Sequence, residues 1–192
     1  MTRTLALAAA AAVLAVPIST QAQGAPDAAW TSFQHICWDT TGDYVGSIRA
    51  AAADGWADAD VVAEDDPAIS LTDKAAKSKT VGSEQLSVLV TRGLRKMKDG
   101  SQIKVTTCKV TSSGPGAGLI HMAQDWVGAA PDSADPADAP TLAVFFVKAQ
   151  PGQPDHVGSA GAGAAMSAGG LGVLKFQQEK DGSILVYTVY SK

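Results

Sequence analysis

Apolar residues recur along this chain at two periods, one helical and one alternating, and the segments between them carry neither. Trp30, Phe33 and Cys37 stand at i, i+3 and i+7 with Ile36 beside them, and Asp27 precedes them as an N-cap. This spacing predicts a first helix over Asp27 to Trp38. Thr40-Thr41-Gly42-Asp43 then marks a turn, after which Tyr44, Val45, Ile48, Ala51 and Ala52 keep helical spacing up to Gly55. Gly55 suits the left-handed residue that closes a helix, and Trp56 can fold back onto the last turn. Leu119, Met122, Ala123, Trp126 and Val127 form a third helical stripe, ended by Gly128.

The alternating runs predict strands. Leu86, Val88 and Val90 lead to Arg92 and Leu94, and Ile103, Val105, Cys108 and Val110 follow; Lys98-Asp99-Gly100-Ser101 between them predicts an antiparallel hairpin. The apolar parity changes between Val105 and Cys108, which would suit a β-bulge near Thr106 and Thr107. Thr141 to Val147 is apolar on both faces and reads as a central strand. Leu171 to Gln177 and Ile184 to Tyr190 flank Lys180-Asp181-Gly182-Ser183, a second Asp-Gly hairpin. The two KDGS turns look like a repeat, although favourable turn chemistry of four residues arises readily by convergence.

Three segments lack periodicity and read as flexible connections: 57–85, acidic and then Lys-rich; 129–140, rich in Ala, Asp and Pro; and 150–170, which includes VGSAGAGAAMSAGG. The expected fold is therefore α+β: a five-stranded antiparallel sheet with helices on one face, in the order α-α-β-β-α-β-β-β. From the first hairpin onward this order is similar to profilin-like or PAS-like domains, a topological likeness that carries no functional residue with it.

The N-terminus adds a compartment. Arg3 is followed by an apolar run from Leu5 to Val16 and by Thr20-Gln21-Ala22, the layout of a signal peptide over residues 1–22. The uncharged run from Thr4 to Pro17 is 14 residues long, whereas spanning a bilayer takes roughly 20, so no stable membrane insertion is expected after cleavage. Residues 23–192 then make one α+β domain. Losing Arg3 leaves 14 basic against 19 acidic residues, a net charge of −5. Such a balance argues against nucleic acid and anionic lipid surfaces as main partners. Arg92, Arg95, Lys96 and Lys98 form the one local basic cluster and read as the solvated face and turn of a hairpin.

Cys37 and Cys108 are the only cysteines, and an even count in an exported chain favours a disulfide between them. Two buried thiols, or a redox or metal role, are the alternatives; the absence of Cys-x-x-Cys speaks against the last. A leader, a helical cysteine in FQHICWDTTGD, a helix ending in AADGW and a strand cysteine in VTTCKV together resemble small uncharacterised exported proteins of alphaproteobacteria such as sphingomonads. The resemblance covers Phe33 to Trp56 and Cys108 to Gly128. It implies the periplasm, and no activity.

Candidate chemistry is sparse. His121 and Asp125 lie at i, i+4, a spacing that could orient an imidazole for base catalysis or supply two metal ligands, but the apolar stripe puts them on the opposite, exposed side. His35 lies off its own stripe, and His156 follows Pro154-Asp155 in a loop. The acidic run Asp54 to Asp66 fails the EF-hand template, because position five from Asp58 is Val62 and position three from Asp54 is Trp56. The segment Val157 to Gly170 lacks the Gly-Lys-Ser/Thr ending of a phosphate loop, and neither Ser113 nor Ser159 sits in a nucleophile elbow. Trp30 and Trp126 lie on apolar stripes and Trp56 anchors a helix end. Trp38 either covers the disulfide or lines a shallow groove. Trp38, His121 and Asp125 are thus the surface candidates, with no catalytic, cofactor or metal residue assigned. The leading expectation is a non-enzymatic periplasmic or secreted binding module, contacting an envelope protein or small ligand through a sheet face or the Gly-Ala segment. The alternative is a cell-envelope hydrolase using His121 with a distant carboxylate.

Overall fold

The computed structural model describes residues 27–62, 66–114, 116, 118–134 and 141–192, so the signal peptide expected at 1–22 lies outside the described residues. Asp27 accepts a hydrogen bond from the Ala29 N–H and caps α1 (Ala28–Ser32), which runs on into a π-helical turn, Phe33–Trp38. Asp43 likewise caps α2 (Tyr44–Ala53), whose end is closed by Gly55 and by a bond from the Trp56 N–H to the Ala51 carbonyl. The third stripe forms α3 (Leu119–Val127), with Gly128 in the left-handed conformation after it. All three predicted helices are present.

The sheet is larger than expected: eight strands, not five. They are β1 (Ala57–Ala59), β2 (Ile69–Val81), β3 (Glu84–Lys96), β4 (Gln102–Ser112), β5 (Ser133–Ala134), β6 (Leu142–Lys148), β7 (Gly170–Glu179) and β8 (Gly182–Ser191). Every neighbouring pair is antiparallel, in the order β1-β2-β3-β4-β8-β7-β6-β5. Two four-stranded meanders are thus joined through β4 and β8. The element order differs accordingly, and the profilin-like or PAS-like comparison rested on a five-stranded order that is not the one observed.

The segment 57–85 is a strand pair rather than a connection. Its lysines looked like solvated surface, but Lys77 is buried and pairs with Asp58 of β1 at 2.7 Å, while the Lys79 ammonium donates to the Asp54 carbonyl at the end of α2. Cations that tie β2 to β1 and to the end of α2 leave no alternation of apolar residues to read. The segment 150–170 contains a fourth helix, α4 (Gly158–Ala168). No α4 residue is buried, which is why its sequence shows no apolar stripe. Within 129–140, residues 133 and 134 form β5, and 135–140 lie outside the described residues.

The expected bulge at Thr106 and Thr107 is absent: β3 and β4 pair without a register shift from Leu86↔Ser112 to Lys96↔Gln102. Parity changes because different faces are buried at the two ends of β4. Cys108 and Val110 face the helices, whereas Ile103 and Val105 are buried on the other face. The two KDGS turns are not equivalent either. Gly100 has φ +85° inside its turn, whereas Gly182 already pairs with Glu179 in the ladder, and a Cβ there would lie 2.6 Å from the Ser112 carbonyl oxygen. Nor is Thr141 to Val147 central: β6 is second from the edge.

The core lies between one sheet face and α1 to α3. Cys37 is bonded to Cys108 across this layer, with Cα atoms 5.5 Å apart. Trp30 and Phe33 pack on Phe176 at ring separations of 5.6 and 5.5 Å, and Trp126 of α3 meets Trp30 edge-on at 5.3 Å. The π-helical turn presents Ile36, Cys37 and Trp38, three consecutive residues, to the interior.

Candidate functional site

Alternation along each strand leaves a second face that α1 to α3 do not touch. In β3, β4, β8, β7 and β6 this face presents Leu89 and Thr91, Thr107 and Lys109, Val186 and Thr188, Val173 and Lys175, and Val144 and Phe146, all half-buried. Its fully buried members, Ile103, Val105 and Leu171, cluster at one end. Met166 of α4 shares a cleft with Ile103 there, and α4 contacts β6, β7 and β8. No helix among the described residues covers the remainder of the face. Ile69, Leu71, Leu89, Thr91, Thr188 and Tyr190 line a shallow groove of about 250 Å³ across it, with Thr107, Lys109 and Asp66 completing the wall. Thr107 and Thr188 meet hydroxyl to hydroxyl at 3.2 Å on its floor.

The strands on this face carry Lys74, Arg95, Lys109, Lys148 and Lys175 against a single acid, Glu179. Lys148 is neutralised by Asp155 at 2.5 Å. The surface is therefore apolar with a cationic bias, on a chain whose formal net charge is −4. The sequence cluster Arg92 to Lys98 is split by strand alternation. Arg92 faces the helices, holds Asp73 at 2.6 Å and lies over the Tyr44 ring, whereas Arg95 on the second face donates to the Tyr190 hydroxyl at 3.4 Å. The hydrogen bond from Arg92 holds the Asp73 carboxyl below its ordinary pKa.

The three surface candidates from the sequence do not converge. Trp38 is 2 % exposed, so it lines no surface groove. Its indole packs on Trp126 and Tyr187 at 4.8 and 5.0 Å and donates to the Gly152 carbonyl at 2.7 Å, pinning the segment before α4 to the core. His121 and Asp125 are both exposed, and neither makes a hydrogen bond or ion pair with a described residue. An isolated, solvated imidazole has no base-orienting partner. Among the described residues no carboxylate or hydroxyl stands within hydrogen-bond reach of His121.

A pairing that sequence reasoning missed joins His156 to Asp132. The Asp132 carboxylate, 7 % exposed, meets His156 Nε2 at 2.9 Å and accepts from the Phe146 N–H and the Ser159 N–H, both at 2.8 Å. Ser159 stands in the first turn of α4, so the same carboxylate caps that helix and complements its dipole. A sequence separation of 24 hides the pair from any local reading. Among the described residues no group of three His, Cys, Asp or Glu side chains could hold a metal ion, and the acidic run at 54–66 includes 63–65, which lie outside the described residues. No helix there is long and apolar enough to cross a membrane. Compared with known proteins, the chain matches no family, no curated sequence and no solved structure.

Proposed function

We propose that this chain is an exported, non-enzymatic binding module that receives a small ligand or an envelope protein on its second sheet face. The observation that carries the reading is the groove over Leu89, Thr91, Thr107, Thr188 and Tyr190, an apolar, hydroxyl-bearing surface with Lys109 and Asp66 in its wall. Bare sheet faces with apolar character mark interaction sites more often than idle surface. Export is supported by the leader pattern and by the Cys37–Cys108 bond, which is compatible with an oxidising compartment. Its similarity in short motifs to exported alphaproteobacterial proteins points to the periplasm.

Photocrosslinking tests the reading. A photoreactive side chain at Leu89 or Val186 is expected to trap a defined adduct in the envelope of expressing cells, whereas one at Val45, exposed on α2, is expected to trap none. Adducts confined to Val45, or a precursor that stays in the cytoplasm with its leader attached, would overturn it.

A further inference from the structure

The second face ends in a cleft unlike the rest of the surface. Met97, at the β3–β4 turn, and Met166, near the end of α4, are both half-buried and face one another across two adjoining hollows of about 490 and 330 Å³. Ile103 closes the apolar floor. Around the rim stand Arg95, Lys96, Lys98 and Lys192, with Asp99 the one acid. That carboxylate is already engaged: it accepts from the Ser101 N–H and hydroxyl at 2.9 and 2.6 Å, and the hydroxyl bond holds its pKa below the ordinary value. Four side-chain cations to one internally satisfied side-chain anion contrasts with a chain of 15 basic and 19 acidic residues.

We infer that this cleft binds a monomeric anionic amphiphile, a single acyl chain bearing a carboxylate or comparable head group. The inference rests on the second face being the binding face, and it names the ligand class for one end of it. Two flexible thioethers make a floor that adapts to an alkyl chain. The hollows have the size of small-ligand sites. The rim supplies charge of the sign that a head group needs, in a chain otherwise biased against anions. A phosphate or other small anion would use the rim and leave the methionine floor uncovered. A bilayer would need a broad convex patch, whereas these cations ring a concavity.

Methyl NMR of the purified protein, labelled at Met, Leu and Val, with decanoate tests the assignment, because only four methionines are present. Decanoate below its micellar concentration should shift Met97 and Met166 saturably and leave Met122 on α3 unmoved. Decanol should bind about tenfold more weakly, and K98E/K192E, both exposed side chains, should cost decanoate about tenfold with no change in melting temperature. Equal affinity for decanol and decanoate would overturn the inference, as would a response only to phosphatidylglycerol vesicles. If decanoate moved the Leu89 and Val186 methyls but neither methionine, the cleft assignment would fail while the face remained a binding face. With no response at either place and no adduct from Leu89 or Val186, both readings would fall.

Discussion

Tyr187 carries a buried hydroxyl for which no partner exists among the described residues, with its ring held between Trp38 and Gly172. Burial raises the phenol pKa above its ordinary value near 10. The native state therefore keeps the proton at pH values where the unfolded chain loses it. This contribution is present below about pH 10 and is lost as pH rises further. Urea melts of Tyr187→Phe should show a shallower loss of stability above pH 10 than the parent. At neutral pH the variant should match the parent or gain up to about 1 kcal/mol, because an unpaired buried hydroxyl costs free energy. A large loss on substitution would show instead that the hydroxyl is paired in solution. Neither this orphan nor the Asp132 carboxylate with its three donors was legible in the sequence, where Tyr187 was one more apolar strand position and Asp132 one of several loop acids.

Among the elements, α4 and β2 show where local reading fails. Helix propensity was available in the Ala-rich segment 158–168, but glycines at 161 and 163 and the lack of a stripe argued against a helix. Capping by Asp132 and closure by Gly169 hold it in place. Gly163 has open space where a Cβ would stand, so Gly163→Ala should raise stability by about 0.8 kcal/mol in a thermal or urea melt. A flexible loop at this place would show no such gain. In β2 the failure is of another kind. Ile69 and Leu71 alternate correctly, but Lys74, Lys77 and Lys79 follow, and a strand next to the short edge strand β1 that bonds its cations to Asp58 and the Asp54 carbonyl looks polar throughout.

At the scale of the molecule, the disulfide is the long-range link that the sequence pointed to. It joins the π-helical turn to β4 across 71 residues. In the chain-entropy account, closing a loop of that size stabilises the native state by about 4 kcal/mol. Cys37→Ser with Cys108→Ser should lower the urea-derived stability by up to that amount, and a reductant should act on the parent and leave the double variant unchanged. Helices α1 to α3, their glycine ends and the two tight turns follow from the sequence by itself, because each depends on residues a few positions apart: Asp27 with Ala29, Asp43 with Gly46, Gly128 after Val127. What only the tertiary structure decided is non-local. The order β4-β8-β7 through the sheet centre and the meeting of Met97 with Met166 both depend on which strands pair. Strand pairing is chosen by burial summed over the whole sheet, and no window of a few residues contains that sum.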